Sequence, residues 1–434
     1  MQSIESKEKI LKSSNRDFSD ENIFADEETF KKCLQAFDIS ESLGFLAYYD
    51  VNEIILNEDF QEYEEIIKNL SAINKDYSLV SEINKIKFND NFLRPNYFKS
   101  MLTSRITKIF SIFSILVNSF TFTSLKLNSS LKRLVIPKQI AIPLLESAKI
   151  LELKPIVCLW TNLHAVTKNI KELKSYKNID EYNENDMKLE NIKLAFSQTG
   201  TVTEDFFLKI NYLVSIKMNK LFSIIFNINH IYYKKSYDNK ELNFDEKTSI
   251  KNCLLDIVDI LKFTNSNCLA LFKFMDPNVF YNHVRNYFKG YSIFEEGVIF
   301  EGYNEVMKYS GASAGQDPYL TLLKSILGYE YPSNLKNYED NLKNSFRKPH
   351  LEFINLISKK SKLVEICQKY EELRVVLKKC NEMLSAFYNI HNVFIKEFII
   401  SLASQEKVPI DKIYGVGDTP IVQVLELKNY VPKF

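Results

Sequence analysis

Three groups of residues in this 434-residue chain are of types that carry chemistry. His391 lies in FYNIHNVFIKEFII, where Phe387, Ile390, Phe394, Ile395 and Phe398 recur at helical spacing and surround the imidazole with an apolar face. An imidazole on such a face must be hydrogen-bonded or bound to something, because burying it unpaired costs free energy. A haem iron in an apolar cleft between helices would satisfy it. A lone helical histidine is more often structural, and both readings stand on these residues alone. Arg285, one of only seven Arg among 56 basic residues, sits in VFYNHVRNYFKGY between Phe280, Tyr281, Val284 and Phe288. A guanidinium among aromatics suits a carboxylate gripped by two parallel hydrogen bonds, with a surface ion pair as the plainer alternative. The third group is Tyr309-Ser310-Gly311-Ala312-Ser313-Ala314-Gly315-Gln316, whose small residues let backbone approach a flat ligand. It follows no strand and lacks the Lys-Ser/Thr pair of a P-loop, so it is no phosphate cradle, and it also reads as an ordinary loop before a capped helix.

The elements that position these groups are helices. The chain has 10 glycines where an average composition of about 7% would give roughly 30. Eight of them follow residue 289, and five fall between 290 and 315. Sheet-rich folds and glycine-lined nucleotide sites need many positive-φ turns, which argues against a dinucleotide-binding, kinase or all-β architecture. With 45% apolar residues, 32 Phe and 24 Tyr, the chain can fill a sizeable core. Its net charge of +1 gives no global pull toward nucleic acid or an anionic membrane. The six cysteines (33, 158, 253, 268, 367 and 380) show no metal-binding spacing and read as reduced, mostly buried thiols of a cytoplasmic protein. Residues 1–24 contain no apolar core of a secretory signal, and the apolar stretch Ile109 to Phe122 reads as too short to span a bilayer.

The expected organisation is all-α. Residues 1–35 read as a loose N-terminal arm, 36–190 as a small helical domain ending in a polar linker at about 168–190, and 191–434 as a large helical domain. Thr201 and Glu204 form a capping-box pattern opening an apolar-periodic run from Asp205 to Tyr233. Asp276-Pro277 and Asp317-Pro318 each place an N-cap before a proline at the first helical position. Leu363 to Ala403 reads as one or two long helices, and no segment reads convincingly as a strand.

Taken in order, SLGFLAYYD, IPKQIAIPLLESAKILELKPI, FYNHVR, the G-x-SAGQ loop opening a helix that ends in ILGY, the late-helix His391 and a terminal G-x-G-x-T resemble the indoleamine 2,3-dioxygenase family over roughly residues 38–427. The resemblance implies a two-domain helical protein with a small N-terminal and a large haem-binding domain. It implies haem b as cofactor, O2 as co-substrate, and conversion of L-tryptophan or a related indole to N-formylkynurenine, the first step of the kynurenine pathway. By the same resemblance His391 is the proximal iron ligand, and Gly311, Ala312, Ser313 and Ala314 form the loop over the haem edge. Phe206 and Phe207 match distal aromatics, Phe280 and Arg285 match the residues that pack the indole and hold the carboxylate, and Ser313, Ala314 and Thr419 complete the substrate contacts. No residue is expected to act as acid or base. A cytoplasmic monomer that binds neither nucleic acid nor membrane is expected.

The chain departs from the family pattern at identifiable places. A usual distal Ser falls on Ile210 and a pocket Tyr or Ser on Leu159, which makes the cavity more apolar. The family's Asp and Arg pair near the haem falls on Lys324 and Tyr388, and a Thr of the closing loop on Val416. These departures motivate an alternative, a haem-binding sensor or catalytically weakened relative. A haem-free helical interaction module is the third reading, in which each motif is packing. The glycine clusters at 311–315 and 415–417 are expected where backbone approaches a ligand.

Overall fold

The computed structural model describes residues 16–41, 43–46, 54–164, 166–168, 189, 192–237, 240–303, 305–329 and 335–426. Most of the proposed linker and the start of the proposed arm lie outside the described residues. Helix α1 (Glu27–Ala36) is capped by Asp26, whose carboxylate accepts from the Thr29 amide, and it buries Phe30, Cys33 and Leu34. With Ile23 and Phe24 also buried, residues 16–35 are a packed segment rather than a loose arm, because their few apolar side chains gather on one face.

The fold is predominantly helical, in keeping with the composition. Helix α2 (Thr103–Leu127) is apolar on nearly every side and packs mainly on α3 (Lys138–Leu151). The stretch Ile109 to Phe122 is the middle of this helix, which is by itself long and apolar enough to cross a membrane. Its most apolar window is wholly buried, and it serves as a core helix. After the short helix α4 (Leu159–His164), the apolar run that starts near residue 205 is two helices, α5 (Val202–Met218) and α6 (Leu221–Tyr237), broken at residues 219–220.

Thr201 caps α5, its hydroxyl accepting from the Glu204 amide at 3.2 Å. Glu204 does not close the expected capping box. It is buried and accepts from the Gln198 and Thr199 amides at 2.8 and 2.7 Å, fixing the preceding turn instead. Helix α7 (Phe244–Phe274), with a complete Asn243–Glu246 capping box, makes its broadest contact with the long helix Glu371–Ile395. Helices α8 (Pro277–Asn282) and α9 (Pro318–Ile326) start at Asp276 and Asp317 as the Asp-Pro pairs predict. Then come α10 (Lys348–Lys360), α11 (Glu371–Ile395), which continues into a π-helical turn at Lys396–Ile400, and α12 (Ile421–Glu426).

Short strands occur despite the sequence expectation. Residues Leu134–Ile136 (β1) and Val298–Phe300 (β4) pair in parallel, Val306–Met307 (β5) runs antiparallel to β4, and Val166–Lys168 (β2) pairs antiparallel with Ile192–Leu194 (β3). Two or three residues are too few to display an alternating pattern in sequence. The buried core runs continuously from Ile23 to Val424, across the proposed boundary at residue 190.

Two core histidines carry a measurable consequence. His164, with Nδ1 2.6 Å from the Trp160 carbonyl, is held down to about 4 mainly by burial, and burial holds His350 well below its ordinary value. Both are neutral in the fold, whereas in the unfolded chain they take up protons near pH 6.5. The unfolded state therefore binds more protons below that pH, and stability falls as pH drops from about 6.5 toward 4. The melting temperature of the haem-free protein is expected to fall between pH 7 and pH 5, with each histidine contributing up to about 1.4 kcal/mol per pH unit. A melting temperature unchanged over that range would overturn the assignment.

Candidate functional site

A cleft of about 190 Å³ lies among α5, α7, α9 and α11. The α11 side presents Phe387, Tyr388, His391, Phe394 and Ile395, successive positions on one helical face. His391 is not fully shielded, and the surface it retains is cavity wall. Desolvation holds its imidazole down to about 4, so the ring is neutral at physiological pH. It stacks on Phe387 with centroids 6.4 Å apart, and among the described residues neither ring nitrogen has a hydrogen-bond partner. A neutral imidazole with an open nitrogen on an apolar wall has the chemistry of an axial haem ligand, and the residues present fit that group. The π-helical turn begins five residues later, a distortion frequent near functional sites.

Opposite elements supply aromatic walls. Phe207 of α5 lies 5.3 Å from Phe280 and 5.5 Å from Phe288, and Phe280 meets Phe394 edge-on at 5.3 Å. Phe206 does not join them. It stacks on Phe274 at 4.6 Å, outside the cleft, because adjacent helical residues diverge by about 100° and the face toward the cleft carries Phe207, Ile210, Asn211 and Val214. Its expected place among the distal aromatics is thus corrected.

Arg285 is brought to the cleft by the 3₁₀ turn Val284–Phe288 and is nine-tenths buried. Its guanidinium donates to the Tyr414 carbonyl and lies 5.6 Å from the Tyr281 ring centroid, while Nε has no partner. A surface ion pair is excluded. The group is a buried cation, lowered from its usual value by desolvation and tied to the terminal loop by backbone.

Ala312, Ser313, Ala314 and Gly315 line the cleft, whereas Gly311 does not. Glycine at 311 answers a different demand: a Cβ there would strike the Phe288 carbonyl and the Gly290 nitrogen, and one at Gly290 would strike the Tyr309 carbonyl. Two backbone segments cross at this point. The loop is also held by Gln316, whose amide nitrogen donates to the Gly311 carbonyl at 2.9 Å and the Ser345 hydroxyl at 3.0 Å. Its amide oxygen accepts from the Leu159 and Ser313 amides at 3.2 and 3.1 Å.

The terminal loop lies against that segment. The Gly311 amide donates to the Val416 carbonyl at 3.0 Å, the Gly415 amide donates to the Thr419 carbonyl at 2.8 Å, and buried Thr419 lines the cleft with Gly415, Val416 and Gly417. The predicted glycine clusters are therefore joined, although the glycines of the terminal loop meet no crowding that excludes a side chain. Cleft residues that sequence reading did not single out include Thr264, Cys268, Tyr338 and Leu342. They sit on amphipathic helices whose pattern cannot tell a core wall from a cavity wall.

The departures from the family pattern all face this space. Leu159, Ile210 and Val416 make it apolar, and Lys324 and Tyr388 line it too. Lys324 lies 6.0 Å from the Tyr329 ring centroid, and Tyr329 stacks on Tyr388 at 6.2 Å, a cation–aromatic chain. Burial pushes the Lys324 amine down to about 7. At pH 6 the folded protein carries this amine charged at full cost, and above pH 7 it increasingly sheds the proton, so the cost shrinks toward 10.5. Lys324→Met is therefore expected to raise the melting temperature of the haem-free protein, and by more at pH 6 than at pH 9. A gain that grows with pH would refute the reading.

Comparison with known proteins agrees with the resemblance to this family. The profile of the family described as Indoleamine 2,3-dioxygenase matches residues 33–413. An indoleamine 2,3-dioxygenase of Saccharomyces cerevisiae is 23% identical over 85% of this chain and 80% of its own length. Indoleamine 2,3-dioxygenase 1 of Rattus norvegicus is 19% identical over 87% of this chain and 88% of its own, and indoleamine 2,3-dioxygenase 2 of Homo sapiens 20% over 86% of each.

Proposed function

The chain belongs to the indoleamine 2,3-dioxygenase family, and on that premise we propose that it is a haem-dependent dioxygenase that adds both atoms of O2 across the indole C2–C3 bond of L-tryptophan, giving N-formylkynurenine. The observation that carries this reading is His391, a neutral imidazole with an open nitrogen in a cleft that also holds Phe207, Phe280 and one buried guanidinium. Haem supplies the activation of O2 when bound, a chemistry no side chain of the chain provides.

The protein's own residues bind, orient and exclude water. His391 would hold the iron from the α11 side, while Ala312, Ser313 and Ala314 leave room for a flat group at the loop. Phe207 and Phe280 pack an indole, and Arg285 grips its carboxylate on exchanging the Tyr414 carbonyl for it. Fixing the ring against a co-substrate in this way contributes much of the rate by orientation. The carboxylate that lines the cleft, Asp317, accepts from the Tyr319 amide at 2.8 Å and the Ser215 hydroxyl at 3.3 Å as the cap of α9. Burial raises the Asp317 carboxyl to about 6. A cytoplasmic monomer acting at the head of tryptophan breakdown is part of the proposal.

Arg285 held by backbone, and Lys324 set beside Tyr329, which stacks on Tyr388, favour a second reading, a haem-binding relative with little turnover. The two separate on one preparation: the haem-loaded protein is reduced under CO for its Soret spectrum and then supplied with L-tryptophan and O2. A CO-shifted Soret band with N-formylkynurenine formed supports the dioxygenase. The same band with no indole oxidised sinks the enzymatic reading, and a protein that stays colourless after haem supplementation sinks both.

A further inference from the structure

A second cavity, of about 220 Å³, lies on the outer side of the terminal loop. Gly415 and Val416 are common to both cavities and form the wall between them. Three cations line the outer one: Arg285, half-buried Lys289 and exposed Lys412. Asp418 is the sole carboxylate among its described lining residues, and among the described residues it forms no ion pair with any of the three. Glu406, close by, accepts from the Tyr281 hydroxyl at 3.1 Å.

The lining thus carries three cations against one carboxylate among the described residues. Burial above all, with the charges of Arg285 and Lys126 adding to it and that of Glu406 opposing it, pushes the Lys289 amine down to about 8. Arg285, which lines both cavities, is nine-tenths buried, and its Nε has no hydrogen-bond partner among the described residues.

We propose that this outer cavity binds a small oxyanion, a carboxylate or phosphate group, held by Arg285 and Lys289 with Lys412 at its rim. Oxyanions match the donor set: a planar guanidinium takes two oxygens side by side, and an ammonium adds a point charge. Because Arg285 belongs to both cavities, filling the outer one is linked to whatever the inner face of Arg285 holds.

Inorganic phosphate is the probe. Its ³¹P line width is titrated against the full-length protein at constant ionic strength, in wild type, Lys289→Gln and the Lys289→Gln/Lys412→Gln pair. Wild type is expected to broaden the line saturably. Lys289→Gln weakens binding roughly tenfold, the loss of one charge-assisted hydrogen bond, and the pair abolishes saturation. Circular dichroism melts confirm that the variants fold, as expected for half-buried and exposed positions whose backbone bonds are kept. Acetate added as competitor displaces the phosphate if the site accepts carboxylates and leaves it bound if it is specific for phosphate; either result supports the site. Broadening that never saturates, or that persists unchanged in the folded double variant, overturns it. His391→Ala retains phosphate binding, so failure of the haem reading and failure of this one are seen separately.

Discussion

His391→Ala is expected to fold and to lose haem. Changes to groups that merely support a metal ligand lower affinity by about 10–100-fold, so removing the ligand itself should exceed roughly a hundredfold. The loss should be confined to the cofactor. The ring sits on a cavity wall, makes no hydrogen bond among the described residues and stacks on Phe387 only loosely, so the haem-free variant should melt close to wild type. Haem titration followed at the Soret band, beside a melt of the haem-free proteins, measures both. Full haem occupancy in the variant would remove His391 from the site and, with it, the basis of the proposed function. A large fall in the haem-free melting temperature would show that the imidazole is a packing residue.

Arg285→Ala is expected to take up haem normally and to lose kcat/KM for L-tryptophan. Truncating one partner of a buried, hydrogen-bonded charge pair costs about 2–5 kcal/mol, which corresponds to roughly 30-fold to several-thousandfold in kcat/KM. Arg285→Lys should recover little, because an ammonium cannot offer two parallel donors. A second readout is specific to this structure. Arg285 also ties down the Tyr414 carbonyl, so the alanine variant should be cut faster by protease within residues 414–419. Normal turnover with a loosened loop would make Arg285 a latch and not a carboxylate site. Lost turnover with an unchanged loop would make it a carboxylate site alone.

How far these residues were legible in sequence depends on whether the determining interaction is local. Asp276-Pro277 and Asp317-Pro318 were readable because a cap and a fixed φ act within three residues. The face of α11 around His391 was readable because helical periodicity is local too. Phe206 was misplaced since a pair of adjacent aromatics does not say which one turns inward, and only the spacing with Ile210 and Val214 decides. Thr201 and Glu204 matched a capping box, yet the Glu204 carboxylate was claimed by the Gln198 and Thr199 amides on its other side. Residues 16–35 looked loose by charge, and their packing depends on partners hundreds of residues away, as when Phe24 stacks on Tyr233. Gly311 is expected where backbone approaches a ligand, yet the close approach there is of backbone to backbone, at Phe288 and Gly290. The Arg285–Tyr414 contact and the outer cavity had no local signature at all, because both arise from segments more than a hundred residues apart.

The single amide of Gln316 has a further meaning for how the chain assembles. Its two donors and two acceptors are satisfied by Leu159, Gly311, Ser313 and Ser345, which come from three separate stretches of sequence. Closing such distant segments costs chain entropy that no one hydrogen bond repays, so this junction belongs late in folding, after the helices on either side have docked. The small-residue loop that borders the cleft is thus completed only in molecules whose halves have already come together. An early, half-collapsed chain would present His391 without that loop, and the cofactor would be gripped firmly only by protein that has finished folding.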